Sequence, residues 1–327
     1  MQFLYLLEKI RNPVFDFLFS AITHLGEELV FLVLAILIFW CVNKREGYYI
    51  LITGLAGTVI NQGLKLTFKI DRPWVKDPNF TIVESARAEA TGYSFPSGHT
   101  QNVAGTFGGI ARYSKSTPVR IISITLLVLV AFSRMYLGVH TPLDVCVSLA
   151  IAAALVFLLY PVFATEERFH KLMPYVVGAS VLLSLGLILF VFLMSPEGVD
   201  PENLKSGMKN AATLAGCTVG LVPVYFLDRY FIKFETDAKW YAQIIKVILG
   251  LGVVLLIKEG LSSVLVDLFK NEYLARGIRY FLIVMFAGVV WPMTFKYFKK
   301  LRIKALDDFG AKVVDIFARV FKKKKVD

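Results

Sequence analysis

Charge is scarce in this sequence. Asp, Glu, Lys and Arg make up 19% of its 327 residues, where a soluble globular chain carries about a quarter. Hydrophobic residues reach 56%, more apolar surface than a soluble globule of this size hides, and a disordered chain is excluded on the same ground. Cysteine is scarce too. Cys41, Cys146 and Cys217 each lie in an apolar run without paired spacing, which reads as buried small hydrophobes, not as disulfides or metal ligands. Strand-like dyad alternation is missing, so a transmembrane barrel is excluded. Internal repeats and low-complexity linkers are missing as well. The start, Met1-Gln2-Phe3-Leu4, has neither a basic n-region nor a small-residue cleavage site, so no removable signal peptide is expected.

What the chain does have is a series of apolar runs approaching 20 residues, the length that crosses about 30 Å of hydrocarbon as helix. Spans are expected near Leu29–Val42, Tyr48–Phe68, His99–Tyr113, Ile121–Leu137, Pro142–Phe163, Tyr175–Met194, Ala211–Phe231, Ile244–Phe269 and Arg276–Met293. Lys258-Glu259 interrupts the eighth, the alternative to a full span being an element that ends there and continues as an interfacial helix. Residues 1–26 carry apolar positions at helical spacing among many polar groups, the pattern of an interfacial amphipathic helix. His99–Tyr113 is short and Gly-rich, which suits the inside of a bundle. The fold class is therefore all-α, a polytopic transmembrane helical bundle. Ala164–Lys171 is a charged connector and the one plausible boundary. It separates residues 1–163 from additional spans over 174–298, followed by a basic amphipathic tail over 299–327.

Lys and Arg number 36 against 25 Asp and Glu, a net charge of +11. The excess sits in short loops and at the C-terminus, as in Lys322–Lys325. That distribution fits membrane topology and an anionic lipid surface at the tail, with no nucleic-acid partner. Alternate connectors differ in charge. One set holds Lys44-Arg45, Arg112, Lys115, Arg120, Arg168, Lys171, Arg229, Lys233 and Lys239, whereas the other includes the acidic stretch Glu197–Glu202. By the positive-inside rule the first set, and the C-terminus, are expected in the cytoplasm.

Three polar clusters sit beside membrane helices, where such groups are costly. They are Lys65 with Arg72-Pro73, then Ser94-Phe95-Pro96-Ser97-Gly98-His99, then Ser133-Arg134 with His140 and Asp144. Ser97 is placed to cap the helix that follows it, and Gly98 lets backbone approach a ligand, so that end is an anion site. Lys65, Arg72 and Arg134 add three cations suited to phosphate oxygens. Two histidines in such a cradle suggest covalent phosphoryl transfer, one attacking phosphorus and the other protonating the leaving oxygen. Asp144, one helical turn after His140, is placed to hold its Nδ1 proton or to cap the helix beginning at Pro142, or both. His24 and His170 have no such neighbourhood in the sequence.

Lys65-x6-Arg72-Pro73, Pro96-Ser97-Gly98-His99 and Ser133-Arg134-x5-His140 together resemble the split signature of the type 2 phosphatidic acid phosphatase superfamily, complete and in order. That superfamily also includes vanadium haloperoxidases and bacterial acid phosphatases, and the membrane spans favour its lipid phosphatase branch. The resemblance implies a six-helix core ending near residue 163. It implies His140 as nucleophile and His99 as general acid, with Asp144 orienting His140. Lys65, Arg72, Ser97, Gly98 and Arg134 would hold phosphate oxygens, and neither a metal nor another cofactor is required. The implied activity is hydrolysis of a membrane lipid phosphate or diphosphate. Undecaprenyl diphosphate is favoured, ahead of phosphatidylglycerophosphate, phosphatidic acid or transfer to another acceptor. The non-enzymatic alternative is a transporter or scaffold that only binds lipid. About 160 residues after the core depart from the minimal family pattern.

Overall fold

A computed structural model of the chain describes residues 1–195, 197–310 and 312. Among the described residues all regular structure is helical. Two short helices come first, α1 (Gln2–Lys9) and α2 (Pro13–Thr23), then α3 (Glu28–Cys41) and α4 (Lys44–Phe68). The polar segment that follows contains one turn of helix, α5 (Pro73–Lys76). It leads into α6 (Gly98–Tyr113), α7 (Thr117–Tyr136), α8 (Pro142–Phe163) and α9 (Glu166–Leu193). The remainder comprises α10 (Pro201–Leu227), α11 (Trp240–Phe269), α12 (Glu272–Met285) and short α13 (Phe295–Lys300).

The nine expected spans correspond to α3, α4 and α6 to α12. Six of these elements are long and apolar enough by themselves to cross a membrane, namely α7 to α12 with their continuations. A seventh candidate is the bent pair Pro13–Gly26 and Glu28–Cys41, which turns by 53° at its break. α6 is less apolar because it is the interior element. It packs against α3, α4, α7 and α8, and Val103, Ala104, Gly105 and Phe107 are buried.

The first half forms a bundle around α4 and α6, and the second half is laid against it through α10, which contacts both α4 and α9. α10 and α12 approach so closely that a Cβ on Gly216 would collide with the Gly277 carbonyl. Small residues at a helix crossing allow that approach where lipid gives no hydrophobic drive. Lys246 of α11 is 1% exposed and donates to Trp40 O over 2.8 Å, tying the added helices to the end of α3.

Several expectations differ from the structure. Residues 1–26 form two helices, not one, because Asn12 caps α2 with bonds from Val14 N and Phe15 N and Pro13 occupies its first position. α1 packs Leu4 against Phe80 and Ile82 of the polar segment. Lys258-Glu259 does not interrupt α11, which runs unbroken for 30 residues. The charged connector is mostly helix, since Thr165 caps α9 through Arg168 N. The apolar positions of the basic tail (Val313, Ile316, Phe317, Val320 and Phe321) lie outside the described residues.

Candidate active site

The polar segment between α4 and α6 folds over the mouth of the bundle, and Arg72 fastens it there. Its Nε donates to Gly92 O over 3.0 Å, Nη2 to Thr91 O over 2.7 Å and Nη1 to Val139 O over 3.0 Å. The same Nη1 lies 2.9 Å from His140 Nε2. A guanidinium has donors only, so Nε2 is the acceptor and Nδ1 carries the imidazole proton. Nδ1 lies 3.5 Å from Asp144 Oδ2.

His140 is delivered by the turn that ends α7. Val139 N and His140 N both donate to Arg134 O, and Gly138 adopts φ +83° at a point where a Cβ would press on Arg11 and Phe80. Only glycine takes that conformation without strain. Asp144 sits in the first turn of α8 as one half of a capping box with Thr141. Its Oδ2 accepts from Thr141 N over 2.8 Å and from Ser94 Oγ over 2.6 Å. Capping and proximity to Nδ1 are thus both present. The carboxylate thus ties the polar segment, through Ser94, to the turn that carries His140.

Ser97 caps α6, its Oγ accepting from Thr100 Oγ1 over 2.9 Å and from Thr100 N over 3.4 Å. A Cβ on Gly98 would meet nothing within 4 Å, so open space lies over the helix N-terminus. Lys65 Nζ donates to Tyr93 O, close to the loop Arg72 holds. Arg134 is 1% exposed, and its Nη1 donates to Thr23 Oγ1 over 2.6 Å.

Electrostatics follow from this crowding of cations. His140 is pulled well below the ordinary imidazole range, first by burial and then by the nearby Arg72, Arg134 and Lys65 charges. It is therefore a neutral ring with its Nε2 lone pair turned toward a guanidinium. Burial lowers Arg72 to about 10, against which the Asp144 carboxylate works. The arrangement is a cationic bowl with a neutral nucleophilic nitrogen at its edge, fit to hold a tetrahedral anion.

All eight residues expected from the sequence lie on the three loops and helix ends that meet here. Two further features were not read. Glu89 Oε2 lies 3.5 Å from His99 Nε2, and Glu89 Oε1 lies 3.3 Å from His24 Nδ1. His24 also contacts Glu27, so two carboxylates face a histidine that lies outside the three polar clusters of the sequence. Burial, then the Glu27 carboxylate, push Glu89 above the usual carboxylate range. His24, Glu27 and Glu89 bring their ligand-type atoms within 4.8 Å of one another, but His24 Nδ1 is already engaged by both carboxylates. The sequence offered no motif for Glu89, only its place in a long polar segment between membrane helices.

Comparison with known proteins agrees with the geometry. Residues 45–168 match the PAP2 superfamily, and residues 208–303 match the PAP2 superfamily phosphatase transmembrane extension. A probable sphingosine-1-phosphate phosphatase of Dictyostelium discoideum is 28% identical over 64% of this chain. The chain spans about half of that relative's length, 54%. Undecaprenyl-diphosphatase BcrC of Bacillus subtilis is 31% identical over 46% of this chain and 76% of its own. Phosphatidylglycerophosphatase B of the same organism is 30% identical over 50% of this chain and 82% of its own. No solved structure is significantly similar. With its phosphate-type cradle, its membrane helices and both matched regions, the chain belongs to the PAP2 superfamily, as a multi-pass membrane member that carries the superfamily's transmembrane extension.

Proposed function

We propose that the protein hydrolyses a lipid phosphate ester through a phosphohistidine on His140. The observation that carries this reading is the 2.9 Å approach of Arg72 Nη1 to His140 Nε2, which sets an unprotonated nitrogen beside a phosphate-binding fork. Lys65, Arg72, Arg134 and the N-terminus of α6 with Ser97 and Gly98 hold the phosphoryl oxygens. His140 Nε2 attacks phosphorus, and Asp144 stabilises the imidazolium that forms. His99, at the start of α6, protonates the leaving oxygen. Charge stabilisation by fixed cations supplies what phosphoryl transfer needs without a metal.

For the substrate, a polyprenyl diphosphate such as undecaprenyl diphosphate is the first reading, supported by the likeness of the core to the bacterial diphosphatase. A long-chain-base phosphate is the second. It is supported by the likeness to mouse sphingosine-1-phosphate phosphatase 1, which extends over 80% of this chain and so into the extension. We read the site as extracytoplasmic and the C-terminus as cytoplasmic, a reading supported by the excess of positive charge in the alternate connectors. The test is a panel of undecaprenyl diphosphate, sphingosine 1-phosphate, phosphatidylglycerophosphate and phosphatidic acid, with detergent-purified full-length protein. Release of phosphate is expected in excess chelator, with block by vanadate, which copies the five-coordinate phosphoryl group. Binding of these lipids without phosphate release would make the protein a lipid carrier instead.

A further inference from the structure

α4 and α6 run antiparallel in a fixed register. A Cβ on Gly109 would meet Tyr49, one on Gly105 would meet Thr53, and one on Gly57 would collide with the Gln101 amide. Lys65 Nζ reaches Tyr93 O at the end of the same row. These pairs step by four residues in opposite directions, one helical turn at a time. The step between Gly57 and Lys65 is Asn61, level with Ser97, one turn below the cradle lysine and one turn above the Gln101 contact.

Asn61 and Gln101 are each 2% exposed. Neither amide nitrogen and neither amide oxygen has a hydrogen-bond partner among the described residues. One turn deeper, Thr53 is fully buried and its Oγ1 is likewise unpartnered. Buried polar side chains are as a rule hydrogen-bonded, by protein, ordered water or a ligand, so five orphaned atoms in one column under an active site call for an occupant.

The chemistry of the column names it. Thr53, Gly57, Asn61 and Gln101 are all neutral, which does not suit a second phosphate. They offer no carboxylate, imidazole or thiol for a metal ion. Amides supply donors and acceptors together, and the tight seat of Gln101 on Gly57 suits an occupant as small as water, which needs two to four polar partners.

We infer that Asn61 and Gln101 hold ordered water directly beneath the phosphate cradle and deliver it to the phosphohistidine. This rests on the phosphohistidine reading above. After the leaving group departs with the proton from His99, water takes its place. The water oxygen forms a bond to phosphorus as the bond from phosphorus to His140 Nε2 breaks, its electron pair returning to the ring. The water proton passes to His99, and inorganic phosphate is released. Asn61 and Gln101 are positioning residues in this step, acting on the attacking water.

The experiment uses full-length protein in detergent with dioctanoyl phosphatidic acid carrying radiolabelled phosphate, followed by rapid quench. Asn61→Leu and Gln101→Met exchange polar for apolar atoms of similar size, so the thermal midpoint should hold or rise. Label should appear on the enzyme at the wild-type rate and then persist, while turnover falls by about tenfold or more. Asn61→Ser, which keeps a hydroxyl and leaves room for a second water, should restore most of the turnover. Wild-type turnover and wild-type label in folded variants would overturn the inference. A rise of label slowed as much as turnover would also overturn it, because the two amides would then serve Lys65 and phosphate uptake. A wild-type enzyme that turns over the probe with no label at all would instead defeat the phosphohistidine reading, and the water assignment with it.

Discussion

Arg72 Nη1 stands 2.9 Å from His140 Nε2 and 3.0 Å from Val139 O. One guanidinium therefore holds the His140 lone pair, the turn that carries His140 and, through Thr91 and Gly92, the loop that covers it. Arg72→Lys keeps a charge but loses the fork. We expect kcat/KM to fall by about a hundredfold or more, together with a lower thermal midpoint, because three carbonyls lose their donor. Steady-state kinetics and a melting curve on the same preparation check this. Near-wild-type kinetics would show that a point charge suffices.

Asp144 caps α8 and lies 3.5 Å from His140 Nδ1, and two substitutions separate the roles. Asp144→Asn keeps an oxygen for the cap and removes the charge. Turnover should drop by about two to four orders of magnitude with little change in stability. Asp144→Ala should lose the cap as well, a further cost of about 1 kcal/mol in unfolding free energy. Equal turnover in Asp144→Asn and wild type would leave capping as the residue's whole task.

Glu89 faces His99, and its carboxyl is pushed up by burial and by Glu27. A raised pKa in the fold means that the folded protein binds more protons than the unfolded chain. Stability therefore falls as pH rises through that window. Glu89→Gln removes the penalised charge. Its thermal midpoint should match wild type near pH 4 and equal or exceed it at pH 7.5. With His99 in the proposed role of general acid, its turnover should drop most for esters with poor leaving groups. A midpoint below wild type at pH 7.5 would contradict the stated burial penalty.

Much of this site is legible in the sequence because phosphate recognition needs particular residue types at particular helix ends. Lys65, Arg72, Ser97, His99, Arg134 and His140 all carry such chemistry in or beside membrane helices, where polar groups are costly. Glu89 and His24 were not legible, since their meeting depends on how the 27-residue polar segment folds back over α2 and α3. The helices were legible from apolar length, but their ends were set by local caps. Thr165 converts an apparent linker into the start of α9. Lys258 and Glu259 stay helical, their side chains paired with each other and the Lys258 carbonyl accepting from Arg279 of α12. Asn61 is one of several polar residues near the end of the Tyr48–Phe68 run, and only the register of α4 on α6 sets it level with Ser97.

Orientation is open to a direct check. Asn79 lies exposed in the segment over the site, and Lys115 lies exposed in the connector from α6 to α7. In a background free of the native cysteines, Asn79→Cys should react with an impermeant thiol reagent on intact cells. Lys115→Cys should react only after permeabilisation. The reverse pattern would put the cradle in the cytoplasm.

The central claim is a covalent phosphoryl group on His140 Nε2, and trapping it is the most direct measurement. Purified protein is mixed with radiolabelled lipid phosphate and quenched in base, under which phosphohistidine survives, and the labelled peptide is mapped. The account predicts acid-labile label on His140, none on His140→Ala, and reduced but detectable label on His99→Ala. Acid-stable label, or label retained by His140→Ala, would contradict it.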